Sequence, residues 1–141
     1  MIVVETFYNI TDVIEDIRRE IFIDEQGISE KDEFEGGEGS FIHFCMCENG
    51  IVIGYARVHV KDHTLHVGRI AVRKRFRQCG NGKYIVSFAE KFGLLVDCIE
   101  VSLNAQIQAQ GFYEKLGYAP IDTIFLEAGI EHIKMIKPLR K

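Results

Sequence analysis

The sequence predicts an α/β (α+β) fold in which helices cover both faces of a mixed, largely antiparallel sheet. Three alternating apolar segments joined by two short turns indicate consecutive β-hairpins. The last of them runs through a glycine-rich turn into an amphipathic helix, which is the start of a β-α-β crossover. With 141 residues and 47% hydrophobic composition, the chain is sized for a single domain, residues 1–141.

The elements before the glycine-rich turn follow from periodicity and turn residues. Thr11 is placed to cap a helix in which Ile14, Ile17 and Ile21 recur at helical spacing. The sequence Glu48-Asn49-Gly50 is typical of a tight hairpin connection. In chain order, the predicted elements are a strand at 2–7, a helix at 12–24, and strands at 41–47, 51–60 and 65–72.

The second half of the chain alternates helices and strands. Gly117 is placed to end a helix, and Glu127-Ala128-Gly129 is placed to turn a final hairpin. The predicted elements are a helix at 82–92, a strand at 99–103, a helix at 105–116, and strands at 118–125 and 130–136. The order is therefore β-α-β-β-β-α-β-α-β-β.

Composition and charge exclude several functional classes. The net charge of −4 argues against general nucleic-acid binding, and no apolar stretch has the length of a membrane span or a signal sequence. Cysteines 45, 47, 79 and 98 lack the spacing of a zinc site, so we expect free thiols, no metal, and a reducing cytoplasm.

An acidic segment at 24–38 holds seven carboxylates against one lysine. Its field could concentrate a cationic amine, or the segment could be a solvated charged loop. Both interpretations stay open at this point.

The basic turn after the third hairpin strand predicts an anion site. Gly80 and Gly82 let backbone N–H groups face outward, and the helix that follows adds unpaired N–H groups. The spacing excludes two common phosphate loops: a P-loop would need glycine at Arg77, and a dinucleotide loop would need a third glycine at Ile85. The remaining pattern is Arg77-x-x-Gly80-x-Gly82.

This pattern resembles the pyrophosphate loop of the GNAT superfamily, the acyl-CoA-dependent N-acetyltransferases. Gly68–Val72 looks like the family's fourth strand, which splays from its neighbour, and 109–118 matches the family's late helix and turn. Residues 18–27, 32–36 and 125–135 resemble the small ElaA/YjcF-type branch. The element order is also that of the family, apart from a second early helix that the acidic segment could supply.

The resemblance implies direct acetyl transfer from acetyl-CoA to a primary amine of a small molecule or peptide, without a metal. The alternatives are a non-catalytic acyl-CoA-binding or sensor domain and transfer of another acyl group. Homodimers are common among family members, and the sequence leaves the oligomeric state open. The donor-binding residues that the resemblance implies are Ile70, Ala71 and Val72 for pantetheine, Arg77, Gln78, Cys79, Gly80, Asn81, Gly82 and Lys83 for pyrophosphate, and also Asn104 and Ala109.

Two side chains are candidates for catalysis. The resemblance places the Tyr113 hydroxyl beside the CoA sulfur, with the adjacent Phe112 as the better core residue. His66 is the candidate general base, because alternation along the strand would place it on one face with Ile70 and Val72. His43, Glu25 or a water molecule are its rivals. The N–H of Val72 is the candidate donor to the oxyanion.

Overall fold

The structure is a computed structural model that describes residues 1–34 and 40–140. Five residues of the acidic segment, 35–39, lie outside the described residues, including two of its carboxylates and the glycines that end it. The strands are β1 (Ile2–Phe7), β2 (Ile42–Glu48), β3 (Ile51–Lys61), β4 (Thr64–Val72), β5 (Glu100–Gln106), β6 (Ala119–Glu127) and β7 (Ile130–Pro138). The α-helices are α1 (Asp12–Arg18), α2 (Glu30–Glu33), α3 (Asn81–Leu95) and α4 (Gln110–Lys115).

The strands form one seven-stranded sheet in the order β1-β2-β3-β4-β5-β7-β6. Every neighbouring pair is antiparallel except β4 and β5, which α3 connects as a parallel crossover. This confirms the predicted mixed, largely antiparallel sheet. The predicted element order is also confirmed, and α2 within the acidic segment supplies the second early helix.

The turn signals of the sequence are confirmed where the backbone needs a left-handed conformation. Asn49 and Gly50 turn the hairpin between β2 and β3 with φ angles of 52° and 80°. Ala128 and Gly129 turn the final hairpin in the same way, with φ angles of 51° and 76°. The Thr11 hydroxyl accepts a hydrogen bond from the Ile14 N–H at 3.3 Å, as expected of an N-cap.

Two predicted helices differ from the structure. The first starts at Asp12 as predicted, but its second half, Arg19–Glu25, is π-helical. The other is the helix predicted at 105–116, and the prediction that it starts at Ala105 is wrong. Ala105 lies in β5, opposite Ile133 of β7, and α4 starts at Gln110 after a short 3₁₀ turn. β5 is longer than predicted because it pairs with β7, which begins 30 residues after β5 begins. The hydrophobic periodicity of residues 105–116 does not indicate this pairing.

Each face of the sheet carries its own apolar cluster, because side chains alternate along the strands. Phe44 and Met46 of β2 face α3, where they pack with Ile85 and Ala89. Cys45 and Cys47, the residues between and after them, face α1 and pack with Ile14, Ile17 and Ile21. The helices thus lie on both faces, as predicted.

A β-bulge shifts the register in the middle of β4. Tyr55 of β3 lies opposite Ala71, and Arg57 lies opposite Gly68, so two residues of β4 face one residue of β3. The extra residue is accommodated at Arg69, whose φ of 52° is unusual for a residue with a Cβ. As a result, Ile70 packs on the α3 side with Leu65 and Val67, whereas Ala71 belongs to the α1 cluster.

This bulge overturns the prediction that His66, Ile70 and Val72 share one face. His66 lies between Leu65 and Val67, so it points to the face opposite theirs, whereas Ile70 packs on their side. Strict alternation holds only while the register is unbroken.

A buried carboxylate links the acidic segment to the bulge. Glu33 of α2 is fully buried, as is Arg18 at the end of α1, and their Nε–Oε2 distance is 2.6 Å. The other Glu33 oxygen lies 3.0 Å from Nε of Arg69. Burial raises the pKa of Glu33, and the charges of Arg69 and Arg18 oppose that effect. The cluster of Arg18, Glu33 and Arg69 therefore joins α1, α2 and β4; we call it the buried ion cluster.

Replacing Arg18 by methionine tests the contribution of this cluster to stability. The substitution keeps a side chain of similar length but removes its charge, so the buried Glu33 carboxylate loses one of the two arginines that pair with it. We expect the free energy of unfolding in urea to fall by about 3 kcal/mol, because a buried charge loses a partner. Arg19→Met is the matched control, since Arg19 pairs with the more exposed Glu15 and Glu30. Equal effects of the two substitutions would contradict the prediction.

Candidate active site

The central strands β4 and β5 are paired over only part of their lengths. Thr64–Val67 lies in register with Glu100–Leu103, and the parallel pairing ends there. Beyond it, the facing edges of Gly68–Val72 and Asn104–Gln106 diverge, while β5 remains paired with β7 through Gln106. The predicted splayed pair is therefore present. Its open main-chain edges need hydrogen-bond partners, which an extended ligand with amide groups can supply.

A cavity of about 520 Å³ lies at this divergence. Its wall combines Leu103 and Tyr113 from the α3-side cluster with Phe22 from the α1-side cluster, so the cavity has access to both faces of the sheet. Five residues predicted for the site lie on the wall: His66, Ile70, Asn104, Ala109 and Tyr113. Within the described part of the chain, Ala71, Val72 and the loop 77–83 lie off it.

Asn104 lies on the cavity wall, but its place in the secondary structure differs from the prediction. It was expected to follow the fifth strand, but it lies within β5, opposite Lys134 of β7. It is the first residue of β5 beyond the pairing with β4, and its side chain is exposed. Ala109 ends the 3₁₀ turn between β5 and α4, so both residues border the divergence.

Tyr113 is the buried aromatic residue of α4, with 7% of its surface exposed. Burial raises the pKa of its phenol, which therefore stays protonated at neutral pH and can donate a hydrogen bond. The prediction that Phe112 is the better core residue is wrong, because Phe112 is 39% exposed. Its ring instead covers Gly82 at the start of α3, where a Cβ would lie 3.3 Å from Phe112 Cζ.

His66 lies on the cavity wall in a stack with His59 of β3. The ring centroids are 4.8 Å apart and the planes differ by 12°. Burial lowers the pKa of His66, and the positive charges of His59, Lys134 and Lys61 lower it further. Burial also lowers the pKa of His59, together with Arg57 and Lys61. Both imidazoles are consequently neutral at pH 7 and are weak proton acceptors.

The two rival residues for the general base lie away from the cavity wall. His43 is fully buried, and its Nδ1 is hydrogen-bonded to the hydroxyl of Tyr55, which is also fully buried. Glu25 of the π-helix pairs with Arg77 at 2.8 Å. Each of the two is thus engaged within the protein.

The glycine-rich loop has the backbone that an anion site needs. Gly80 precedes α3 with a φ of 82°, and a Cβ built there would meet no atom within 4 Å, so the space in front of it is open. Among the described residues, no side chain caps the first turn of α3, and no acidic residue lies in that turn. The buried Asn81 side chain donates to the Phe76 carbonyl at 2.9 Å, which anchors the loop to the preceding 3₁₀ turn. The residues present therefore fit a pyrophosphate group.

The cations of the loop divide into two groups. Arg73 and Arg77 pair with the carboxylates of Glu20 and Glu25 on the π-helix, each at 2.8 Å. Arg77 also donates from Nε to the Val72 carbonyl at 2.8 Å, which fixes the loop against the end of β4. The cations of the second group, Lys74, Arg75 and Lys83, are exposed, as are the uncharged Gln78 and Cys79 of the same loop.

Several residues on the cavity wall were not predicted from the sequence. His132 and Glu127 reach it from the final hairpin, and Gln26 and Gln106 form a hydrogen bond of 2.9 Å between the π-helix end and β5. The final hairpin was singled out only for its resemblance to a family branch. The sequence carried one signal for this pair. Glu127 and His132 lie five positions apart on either side of a predicted hairpin turn, which brings them to facing strands.

The acidic segment is more structural than its composition predicts. Asp32 and Glu33 line the cavity, but Glu33 belongs to the buried ion cluster and Glu30 pairs with Arg19 at 2.8 Å. Among the described residues, no cluster of three or more metal-binding side chains is arranged to hold a metal ion. No described helix is long and apolar enough to cross a membrane. All four cysteines are free, and Cys79 is the exposed one.

Comparisons with known proteins identify the family. Residues 13–139 match the model of the acetyltransferase (GNAT) domain. The chain belongs to the GNAT acetyltransferase family. This GNAT chain is 36% identical to YyaT of Bacillus subtilis over 89% of its length and 86% of YyaT. It is 34% identical to the N-acetyltransferase YjcF of the same organism, over 86% of its length and 87% of YjcF.

Solved structures of GNAT proteins share the fold. The crystal structure of Escherichia coli ElaA aligns with a TM-score of 0.81 at 23% identity, covering 97% of this chain and 99% of ElaA. A GNAT acetyltransferase from Elizabethkingia anophelis with acetyl-CoA bound aligns with a TM-score of 0.73 at 18% identity, covering 98% of each chain. The resemblance to YjcF and ElaA that the sequence indicated is thus confirmed.

The stacked histidines allow a direct test of the cavity's electrostatics. In an NMR titration, we expect the midpoints of His59 and His66 to lie below the ordinary imidazole value of about 6.5. His59→Gln should raise the His66 midpoint, because a positive neighbour is removed. An unchanged His66 midpoint would contradict the coupling. The pKa values of His59 and His66 are lower in the folded protein than in the unfolded chain, so the unfolded chain takes up protons first as the pH falls. The free energy of unfolding should therefore decrease as the pH falls through and below the ordinary imidazole pKa.

Proposed function

We propose that this GNAT protein transfers an acetyl group from acetyl-CoA to a primary amine of a small molecule or peptide. The observation that carries the proposal is the cavity at the divergence of β4 and β5, which has the protonated phenol of Tyr113 on its wall. An open strand edge for acetyl-CoA and a buried hydrogen-bond donor, the Tyr113 hydroxyl, thus lie at one place. A domain that merely bound acyl-CoA would need the strand edge but not the phenol.

The donor side is supported by β4 and the start of α3. The diverging edge of β4 at Ile70–Val72 offers main-chain groups to the amides of pantetheine, as a neighbouring strand would. The uncapped first turn of α3 at Asn81–Lys83 offers N–H groups to the pyrophosphate, with Lys83 adding an exposed charge. Gln78, Cys79 and Gly80 form the turn before it, and Arg77 braces that turn from Val72.

The reaction makes three demands on the residues of the cavity. An alkyl ammonium has an ordinary pKa of about 10.4, so a base has to take a proton before the nitrogen can attack the thioester carbon. Attack forms the C–N bond and places negative charge on the carbonyl oxygen, for which the N–H of Val72 is the proposed donor. Collapse then breaks the C–S bond. The nitrogen loses two protons in all, of which one ends on sulfur and one reaches solvent.

Tyr113 stabilises the leaving thiolate in this proposal. A thiol has an ordinary pKa of about 8.5, and burial raises the pKa of Tyr113 further above its own ordinary value. Complete proton transfer from the phenol to sulfur is therefore uphill, and the phenol acts by donating a hydrogen bond. A cavity histidine accepts the proton of the amine, and His66 is the residue that the sequence predicts for it.

Acetyl-CoA should stabilise the fold, because it binds the native state alone. At a concentration about 100 times its Kd, the expected gain is about 2.7 kcal/mol, measured as a rise in the thermal midpoint. Gly80→Val is the matched variant: a Cβ there would meet no described atom within 4 Å, but the φ of 82° strains a β-branched residue, so the loop would lose the backbone conformation that presents its N–H groups. We expect it to weaken the shift. The absence of a shift for the unmodified protein at millimolar acetyl-CoA would remove the proposed function.

Tyr113→Phe should lower kcat about 10²-fold with little change in the KM for acetyl-CoA, because the hydroxyl acts on the departing sulfur. The acceptor is found first in a panel of spermidine, glucosamine and a lysine-ended peptide, with free CoA thiol as the readout. Tyr118→Phe is the matched control, since Tyr118 is equally buried but donates to Glu90 at 2.8 Å and lies off the cavity wall. Equal kcat values for Tyr113→Phe and Tyr118→Phe would contradict the role proposed for Tyr113.

A further inference from the structure

The final hairpin brings a second histidine to the cavity. His132 of β7 is 7% exposed and lies on the cavity wall. It pairs with Gln106 at the end of β5 on one side and with Phe125 of β6 on the other. Its ring stacks on Phe125, with centroids 5.9 Å apart and planes 28° apart. The imidazole is thus held at the diverging end of β5, where one 3₁₀ turn separates β5 from the helix that carries Tyr113.

One hydrogen bond determines which nitrogen of His132 carries the proton. Nδ1 lies 2.7 Å from the carbonyl oxygen of Ile130. A carbonyl oxygen only accepts hydrogen bonds, so Nδ1 is the protonated nitrogen and donates. In the neutral ring, the lone pair therefore lies on Nε2, which is the form of imidazole that can take a proton there.

The Glu127 carboxylate faces this lone pair. Glu127 Oε2 lies 3.5 Å from His132 Nε2, beyond the range of an ordinary N–H···O hydrogen bond. Two acceptors thus face each other on the cavity wall. A donor with more than one N–H, such as an ammonium group, can satisfy both of them. The same carboxylate would stabilise the imidazolium that forms once Nε2 has taken a proton.

We propose that His132 is the general base for the amine, with Glu127 as its positioning residue; this rests on the proposed function. The ammonium of the acceptor donates to Nε2 and to Oε2. Its proton moves to Nε2, leaving the lone pair on the amine nitrogen for attack on the thioester carbon. The imidazolium later releases the proton to solvent, so the ring is unchanged at the end of the cycle.

The surroundings of His66 favour His132 for this role. His66 stacks on another histidine, and positive neighbours disfavour its charged form. His132 instead has a carboxylate beside the nitrogen that would be charged. The other titratable or charged groups on the cavity wall are Asp32 and Glu33 of α2, Arg57 and His59 of β3, His66 and Arg69 of β4, and Tyr113 of α4.

The first test compares His132→Gln with His66→Gln, using the panel amine that releases the most CoA thiol. We expect His132→Gln to lower kcat about 10²-fold and to abolish the fall of kcat on the acid side of the pH profile. His66→Gln should retain that fall. His63→Gln is the matched control, because His63 is exposed in the turn between β3 and β4 and lies off the cavity wall. An acid-side fall that survives in His132→Gln overturns the proposal.

The second test uses Glu127, which is 44% exposed, so that its replacement leaves the core intact. Glu127→Gln should raise the KM for the amine and lower kcat while the KM for acetyl-CoA stays unchanged, because the ammonium loses one of the two acceptors that hold it against Nε2. Glu131→Gln, which removes an exposed carboxylate off the cavity wall, should change neither the amine KM nor kcat. An unchanged kcat and amine KM in Glu127→Gln overturn the proposal, even if His132→Gln fails to fold.

The outcomes separate this inference from the proposed function. If the unmodified protein releases no thiol with any amine and shows no thermal shift with acetyl-CoA, the proposed function fails. If it is active, the acid-side fall of kcat survives in His132→Gln and Glu127→Gln leaves the amine KM unchanged, the proposed function stands and His132 is not the base. The Nδ1–H tautomer of His132, observable by ¹⁵N NMR without any ligand, is an additional expected result.

Discussion

The buried carboxylate of Glu33 is the interaction on which the architecture of the site depends. Arg18 and Arg69 hold it from two sides, so that α1, α2 and β4 meet at a single carboxyl group. Arg69 is also the residue that takes the left-handed backbone conformation of the bulge. Such a conformation costs on the order of 1 kcal/mol for a residue with a Cβ, so it persists where surrounding contacts determine it. The ion pair with Glu33 is one of those contacts.

The bulge in turn determines how the two clusters of the core meet. It lies two residues after Val67, which is the last residue of β4 that pairs with β5. Ile70 is shifted to the α3 side and Ala71 to the α1 side, so both layers reach the opening between the strands. The proposed function needs an extended amide arm on one side of such an opening and an amine on the other. Direct transfer needs the two reactants in one cavity, and the cavity at the divergence is suited to it.

The histidines of the chain show how much a functional role depends on surroundings. His43, His66 and His132 are all imidazoles on strands, yet one is buried against a tyrosine, one stacks on another histidine, and one faces a carboxylate. These partners come from other strands at sequence distances of 12, 7 and 5 residues. A neighbouring carboxylate favours the imidazolium, whereas a second imidazole and nearby lysines disfavour it. Residue type and spacing alone therefore ranked His66 first, and the register of the sheet favours His132.

The sequence by itself determined the element order, the tight turns, the Thr11 cap and the glycine-rich turn that opens α3, because each of these depends on residues within a few positions of one another. Gly80 adopts a left-handed φ for reasons local to the loop, and Asn49-Gly50 turns a hairpin wherever two strands flank it. The tertiary structure alone decided the extension of β5 by β7, the bulge at Arg69 and the position of His132 on the cavity wall. Each of these follows from pairing between strands or from burial of charge, and such contacts are set by the packed sheet rather than by local sequence.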